Sequence, residues 1–320
     1  MRTLFVVSGG DASGINAALY HGALLAARAG GETLGVQGGF AGLLQEQIVQ
    51  FGPRDMMHWV PMPGSYFQSS REPVLAQPDA QEKLRQILTR QRIDSLILFG
   101  GDGTLRHIPP LLERWGVTCI GLPTTIDNDV PGTELTLGFD SACNFAHQVV
   151  DGMRATGHAL TGRIFTLETL GGSTGFLALE VARGAGADAV LLPEFEYDAA
   201  QTATRLLDAV QLQGQALLVY SEGVPRKNEL LEFIPKQTGI RVRDSRLGHA
   251  QRGGVPSHRD RALAADMSVL AFKAIQDGVR TGVVVVRQGQ TVLHEGTLDV
   301  QARKLPDEAL YKQLNGLSAS

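Results

Sequence analysis

Four short loops carry residues whose types and spacing suit phosphate chemistry. One is Gly100-Gly101-Asp102-Gly103-Thr104, directly after the apolar run Leu96-Ile97-Leu98-Phe99. Glycines let backbone amides approach phosphate oxygens closely and take positive φ. A helix starting at the loop adds favourable partial charge for an anion. A carboxylate inside such a loop repels phosphate unless a cation intervenes, so Asp102 points to Mg²⁺, a hard ion that bridges carboxylates and phosphates. Read alone, the loop is also an ordinary strand-to-helix turn with an Asp cap.

The next is Pro123-Thr124-Thr125-Ile126-Asp127-Asn128-Asp129, after the run Val117 to Leu122. Parallel α/β sheets bind ligands at the carboxyl ends of their strands, so two such loops can converge. Asp127 and Asp129, with Thr125 beside them, suit a base taking a hydroxyl proton in line with a phosphate, plus a second charge orienting loop or metal. Standing alone, Asp-Asn-Asp is good turn chemistry. Ser8-Gly9-Gly10-Asp11-Ala12-Ser13-Gly14 is a third anion-friendly strand-to-helix turn, or a structural one. The last, Leu247-Gly248-His249-Ala250-Gln251-Arg252-Gly253-Gly254, follows Arg243 and Arg246. Its His249 and Arg252 offer donors for a second phosphate, with the planar fork of Arg matching phosphate oxygens.

A different chemistry competes for part of the chain. Gly171-Gly172-Ser173-Thr174-Gly175 fits the G-x-S-x-G nucleophile elbow, with Asp188 or Asp208 and His249 or His258 as later triad partners. No upstream His-Gly-Gly segment supplies an oxyanion loop, and that reading leaves the Gly100, Asp127 and His249 loops unexplained. No G-x-x-x-x-G-K-[ST] occurs, which excludes a P-loop kinase.

These loops need strands to carry them. Short apolar runs bounded by Gly recur at Leu4 to Val7, Ser95 to Phe99, Val117 to Leu122, Ile164 to Leu167, Ala216 to Tyr220 and Gly282 to Val286. Helical periodicity lies between them, as in Leu84, Ile87 and Leu88 or in Ala142, Phe145, Ala146, Val149 and Val150. Doubly buried strands alternating with helices imply an α/β fold with largely parallel sheets. Ser13, Asp79 and Ser141 are the expected N-caps. Pro109-Pro110 is expected to interrupt the helix after the Gly100 loop, which then restarts at a Pro.

At 320 residues, two domains are the natural expectation. The composition is 43% hydrophobic and 19% charged, which argues against disorder. A net charge of -4 argues against a general nucleic-acid binder. Cys119 and Cys143 give no disulfide framework and read as buried thiols in a reducing compartment. No apolar run approaches the ~20 residues of a membrane helix, and no signal-peptide pattern precedes Leu4. A cytoplasmic enzyme with no membrane partner is the expectation.

In order, Gly-Gly-Asp-Ala, Gly-Gly-Asp-Gly, Thr-Ile-Asp-Asn-Asp, Ser-Glu-Gly and Gly-His-x-Gln-Arg-Gly-Gly resemble the phosphofructokinase family over nearly the whole chain. The Gly-Gly-Asp-Gly loop is shared with NAD kinases and diacylglycerol kinases; Thr125 to Asp129 and His249 to Gly254 are not. The resemblance implies two αβα sandwich domains that exchange chain segments, with the active site between them: 1–138 plus 251–301 for nucleotide, 139–250 plus 302–320 for sugar phosphate. It implies ATP-dependent 6-phosphofructokinase activity, with Asp127 as base, Thr125 and Asp129 beside it, and Mg²⁺ on Asp102. Gly10, Arg71, Gly101, Asp102, Gly103 and Thr104 then hold ATP. Thr125, Asp127, Leu170, Gly171, Gly172, Glu222, His249 and Arg252 hold fructose 6-phosphate, and Arg163 and Arg243 reach it from a neighbouring subunit of a homotetramer.

Three departures stand out against that family. Pyrophosphate users carry Asp at Gly103 and Lys at Thr124; ATP users commonly carry Gly at Thr124, so Gly103 and the absent Lys favour ATP. The family's Met-Gly-Arg is Leu170-Gly171-Gly172, so a charge-neutralising Arg is missing, a loss worth on the order of 10²-fold in rate. Another cation in its place, another phosphosugar acceptor, or a weakened regulatory homologue are the readings this opens. Finally, bacterial effector cations are replaced by Tyr20, Leu24, Gln211, Gln213 and Gln215, which implies weak allosteric control.

Overall fold

The structure, a computed structural model, describes residues 1–70 and 73–317. Its elements in chain order are β1 (Arg2–Ser8), α1 (Ile15–Arg28), β2 (Glu32–Val36), α2 (Gly39–Leu44), β3 (Ile48–Phe51), α3 (Pro53–Met56), α4 (Pro78–Arg90), β4 (Ser95–Gly100), α5 (Asp102–Arg114) and β5 (Thr118–Pro123). There follow α6 (Phe139–Ala159), β6 (Arg163–Thr169), α7 (Phe176–Ala185), β7 (Ala189–Leu191), α8 (Ala199–Gln213), β8 (Gln215–Ser221), α9 (Lys227–Thr238) and β9 (Val242–Arg246). The chain ends with α10 (His258–Gln276), β10 (Thr281–Arg287), β11 (Gln290–Glu295) and α11 (Glu308–Leu314). They form two compact units, Met1–Ser141 with Arg252–Lys304, and Ala142–Gln251 with Leu305–Ser320. Among the described residues no helix is long and apolar enough to cross a membrane.

The first unit is a seven-stranded sheet in the order β11-β10-β5-β4-β1-β2-β3. Only the edge pairs β2–β3 and β10–β11 are antiparallel. Alternate strand residues Leu4, Val6, Leu96, Leu98, Val283 and Val285 pack with Leu84, Ile87 and Leu88 of α4 and Leu105 and Leu112 of α5. The intervening Phe5, Val7, Ile97, Phe99 and Val284 are equally buried and face the other way. Doubly buried strands of this kind read as continuous apolar runs, which is why they were legible in the sequence. The second unit is a four-stranded parallel sheet, β7-β8-β6-β9. Ile164, Leu218 and Tyr220 pack with Leu206 of α8 and Leu230 and Ile234 of α9.

Local signals were overridden at several places. α5 runs unbroken through Pro109 and Pro110. Each Pro forfeits a backbone hydrogen bond at a cost of about 3 kcal/mol. Leu105, Leu111 and Leu112, all buried, hold both halves of the helix in the core. None of the three expected N-caps serves as one. α1 is preceded by Gly14 in the left-handed region, and the Ser13 hydroxyl donates to the Gly254 carbonyl instead. Asp79 lies inside the first turn of α4, after Gln77. Ser141 lies inside α6, where its hydroxyl donates to Asp260 at 2.5 Å.

Asp260, on α10, is fully buried and accepts as well from the Gly138 and Ser141 amides at 2.9 and 2.8 Å. It thereby orders the start of α6 and the close approach of Gly138 to Ala12. Replacing it leaves buried donors unmatched. Asp260→Ala is expected to cost about 2–4 kcal/mol of stability, read as a lowered urea midpoint with unchanged slope.

Candidate active site

Strand register decides which loops meet. In the first sheet Ser8 lies opposite Gly100, and Gly100 opposite Pro123. The three loops leaving β1, β4 and β5 therefore start level with one another at the carboxyl edge. β1 continues to β2 on one side while β4 and β5 lie on the other, the topological switch point where open α/β sheets bind ligands.

Close approach demands the glycines here. A Cβ on Gly100 would strike Thr104 Cγ2 at 2.5 Å, and one on Gly9, at φ +101°, would come to 3.3 Å from Thr104 Oγ1. The Thr104 hydroxyl donates to the Ser8 carbonyl at 3.4 Å, tying the first loop to the second. A Cβ on Gly101 would sit 3.5 Å from Thr125 Cβ, so the second loop abuts the third. At Gly103 a Cβ would meet nothing within 4 Å, leaving open space above the first turn of α5. Gly10 follows Gly9 in the same turn, whose Gly9 carbonyl accepts from Ser69 Oγ at 2.8 Å. Arg71 lies outside the described residues.

The 124–129 loop is braced by its own polar groups. Thr124 N–H donates to the Gly100 carbonyl at 2.8 Å, and Asp127 N–H donates to Thr125 Oγ1 at 3.1 Å. Asn128 takes a left-handed conformation at φ +54°, uncommon for a residue with a side chain. Its Oδ1 accepts from the Thr136 amide at 3.0 Å, and its Nδ2 donates to the Glu134 carbonyl at 3.1 Å. Burial, then the neighbouring Asp127 and Asp102 carboxylates, push Asp129 up to about 6. So Asp102, Asp127 and Asp129 share one electrostatic neighbourhood.

Two cations border that cluster that sequence reasoning missed. Arg106 Nε donates to Asp102 Oδ1 at 2.5 Å, and its guanidinium also reaches the carbonyls of Asp299, Val300 and Ala302. The four-residue spacing from Asp102 on a helix was the available signal. Lys304 Nζ donates to the Asn128 carbonyl at 2.7 Å; no sequence pattern links positions so far apart. Asp129 Oδ1 is buried and accepts no hydrogen bond among the described residues, and a carboxylate oxygen is the kind of donor a hard divalent cation takes. Among the described residues no group of three or more acidic, His or Cys side chains is placed to hold a metal ion by itself. A cation here would take its remaining ligands from phosphate oxygens and water, as Mg²⁺ does.

The expected sugar-phosphate residues divide into groups. In the second unit Thr169 lies opposite Ser221, which brings Leu170 to Gly172 beside Glu222. Glu222 Oε1 accepts from the Gly171 and Gly172 amides at 3.2 and 2.8 Å, and Gln251 Oε1 accepts from the Leu170 amide at 2.8 Å. His249 follows β9 in an exposed turn. Arg252 belongs to the first unit, its Nη1 donating to the Asp11 carbonyl at 3.5 Å. Arg163 opens β6 and Arg243 pairs with Phe165 near the amino end of that strand, so within one chain both stand away from Glu222.

One departure, at Gly172, has a structural counterpart. Gly171 and Gly172 take φ +145° and +59°, and the Gly172 carbonyl lies 2.3 Å from where a Cβ on Gly223 would sit. This loop is folded as glycine requires, and an arginine at 172 would adopt a backbone that L-residues rarely take. Among the described residues no histidine or carboxylate is hydrogen-bonded to Ser173, which is exposed, so the nucleophile-elbow alternative has no triad. A cavity of about 230 Å³ is lined by Arg154, Asp188, Gln213, Gln215 and their neighbours. Asp188 accepts there from Gln213 Nε2 at 2.9 Å and the Leu217 amide at 2.8 Å, while Arg154 is turned to the Gly186 carbonyl.

The fold and the carboxylate-bearing loops at its switch point define an α/β protein of the phosphoryl-transfer kind. Residues 2–275 match the family model Phosphofructokinase, and the chain belongs to that family. It is 34% identical over 316 residues to the ATP-dependent 6-phosphofructokinase of Aquifex aeolicus, covering 98% of each. It is 35% identical over 314 residues to that of Lactobacillus gasseri, covering 97% of each. Among solved structures, the pyrophosphate-dependent phosphofructokinase from Marinobacter aquaeolei matches with a TM-score of 0.81 at 20% identity, covering 100% of this chain and 92% of that one. Pichia pastoris phosphofructokinase in the T-state matches with a TM-score of 0.84 at 24% identity over 92% of this chain; the match spans only 34% of that longer chain. Both likenesses concern the fold.

Because Asp102 helps to raise Asp129, replacing it with a neutral residue removes a negative neighbour. In the metal-free protein Asp102→Asn is expected to move the Asp129 titration to lower pH than in wild type, read by carboxyl ¹³C NMR.

Proposed function

We propose that this chain is an ATP-dependent 6-phosphofructokinase, transferring the γ-phosphate of ATP to the 1-hydroxyl of fructose 6-phosphate to give fructose 1,6-bisphosphate and ADP. The observation that carries this is the register of β1, β4 and β5, which sets the Gly101–Thr104 loop against the Thr125–Asp129 loop. The names of the relatives point to the same donor and acceptor.

In this reading amides of Gly10 and of Gly101 to Thr104 hold the ATP phosphates, helped by the amino end of α5. Asp127 accepts the proton of the sugar 1-hydroxyl as it attacks, and Thr125 fixes the Asp127 amide. Phosphoryl transfer depends on positioning and on neutralising equatorial charge more than on covalent chemistry. Asp102, backed by Asp129, would hold Mg²⁺, which would neutralise charge on the donor phosphates. The open space at Gly103 leaves room for a nucleotide, and Thr124 supplies no cation for a pyrophosphate leaving group.

The first unit is then the nucleotide domain, and the second presents Glu222, His249 and the Leu170–Gly172 loop to the sugar phosphate. Arg163 and Arg243 are assigned to the site of a neighbouring copy in a homotetramer, since they stand at the amino ends of their strands. Two buried free thiols suit a reducing cytoplasm. The glycine conformation at Gly172 favours a second reading as well, in which the same reaction runs on another phosphosugar.

Purified protein assayed with Mg²⁺ and ATP, GTP or pyrophosphate against a panel of hexose phosphates is expected to be most active with ATP and fructose 6-phosphate. A strong preference for another sugar would move the assignment to the second reading. Asp127→Asn is expected to lower kcat by about 10²- to 10⁴-fold with ATP binding retained by calorimetry; undiminished turnover would remove Asp127 as the base. Tyr20, Leu24, Gln211, Gln213 and Gln215 stand where the resemblance puts effector cations. Phosphoenolpyruvate is therefore expected to shift half-saturation by fructose 6-phosphate by less than the roughly fivefold that marks ordinary allosteric coupling.

A further inference from the structure

The segment after β11 does more than connect. Between Asp299 and Lys304 it is held at one end by Arg106, whose guanidinium binds the carbonyls of Asp299, Val300 and Ala302 while its Nε binds Asp102. At the other end Lys304 Nζ donates to the Asn128 carbonyl at 2.7 Å and lies 3.3 Å from the Glu134 carbonyl. One short stretch of chain thus touches the Asp102 loop and the Asp127 loop, and both contacts lie within the first unit.

We propose that residues 299–304 form a strap that sets the Asp127 loop against the Asp102 loop, with Lys304 and Arg106 as its positioning residues. Asn128 stands between Asp127 and Asp129, so the plane of its peptide groups determines where both carboxylates point. Its left-handed backbone is one that Asn adopts more readily than other residues with a side chain, and the surroundings select it here. Thr136 and Glu134 hold its side chain, and Lys304 holds its carbonyl. Without that last contact the 128–129 peptide can turn. Misplacement by about 1 Å at a reacting group costs about 10²-fold. Arg106 fixes the backbone from which Lys304 projects, and it restrains the Asp102 carboxylate at the same time.

The kinetic part of this rests on Asp127 acting as the base; the structural part does not. Lys304→Met is expected to lower kcat by about 10- to 100-fold. KM for ATP and for the sugar phosphate should change by less than about threefold, since the contact serves transfer and not binding. Lys304→Arg, which keeps a cation able to reach the same carbonyl, should lose less. In nucleotide-free protein, hydrogen exchange in peptides covering 125–137 should speed up in Lys304→Met, because the Thr136 amide is bonded to Asn128. Exchange elsewhere should remain as in wild type. Arg106→Gln should speed exchange in the same peptides, and Arg106→Gln/Lys304→Met should lose no more kcat than the worse single variant.

Wild-type kcat in Lys304→Met, equal losses in the Met and Arg variants, a loss confined to KM, or unchanged exchange over 125–137 would each overturn the strap. Should Lys304→Met not fold, Lys304→Gln serves for the same readouts. A wild-type protein that phosphorylates no sugar phosphate would end the functional reading, while the exchange experiment would still decide the strap.

Discussion

The register of three parallel strands is the constraint on which the rest depends. Ser8, Gly100 and Pro123 lie level across β1, β4 and β5. A slip of one residue would turn every side chain of a strand to the other face. Here both faces are buried, with Leu4, Val6, Leu96 and Leu98 on one and Phe5, Val7, Ile97 and Phe99 on the other. Different side-chain shapes on the two faces make such a slip costly, since interiors are packed as tightly as crystals. The hydrophobic core thereby aligns three loops that contribute little to it.

Alignment concentrates negative charge, and the fold answers it locally. Asp102 is paired with Arg106, and Lys304 partly offsets Asp129, whose carboxyl stays shifted upward because burial and two carboxylates outweigh one lysine. The second unit uses neutral donors for a similar task. There Glu222 is held by two glycine amides, while Glu168 has Lys227 at 2.7 Å. Amide donors orient a carboxylate without cancelling its charge, which leaves Glu222 able to accept from a ligand hydroxyl. A paired carboxylate such as Asp102 must instead be shared with a competing cation.

At the Gly172 position, where the sequence departs from the family pattern, the backbone itself is specialised. Gly171 and Gly172 occupy backbone regions open to glycine, and their amides are spent on Glu222. Around Asp188, the Gln213 side chain and the Leu217 amide donate to the carboxylate.

Much of this was legible in the sequence for a simple reason. A strand buried on both faces must be an apolar run, and a loop that approaches phosphate must be glycine-rich. Thus β1, β4, β5, β6, β8 and β10 and the Gly100 and Thr125 loops announced themselves in residue type alone. Helix starts did not, because Ser13 and Ser141 are short polar residues claimed by Gly254 and by Asp260, partners far away in the chain. The continuity of α5 through Pro109 and Pro110 was likewise a tertiary decision, since core burial outweighed the lost backbone bonds. Lys304 shows the limit most clearly. Its hydrogen bond to Asn128 spans a sequence separation of 176, and nothing local encodes it. Residue types and short spacings determine which chemistry a chain can carry; only packing at long range decides which groups hold it in place.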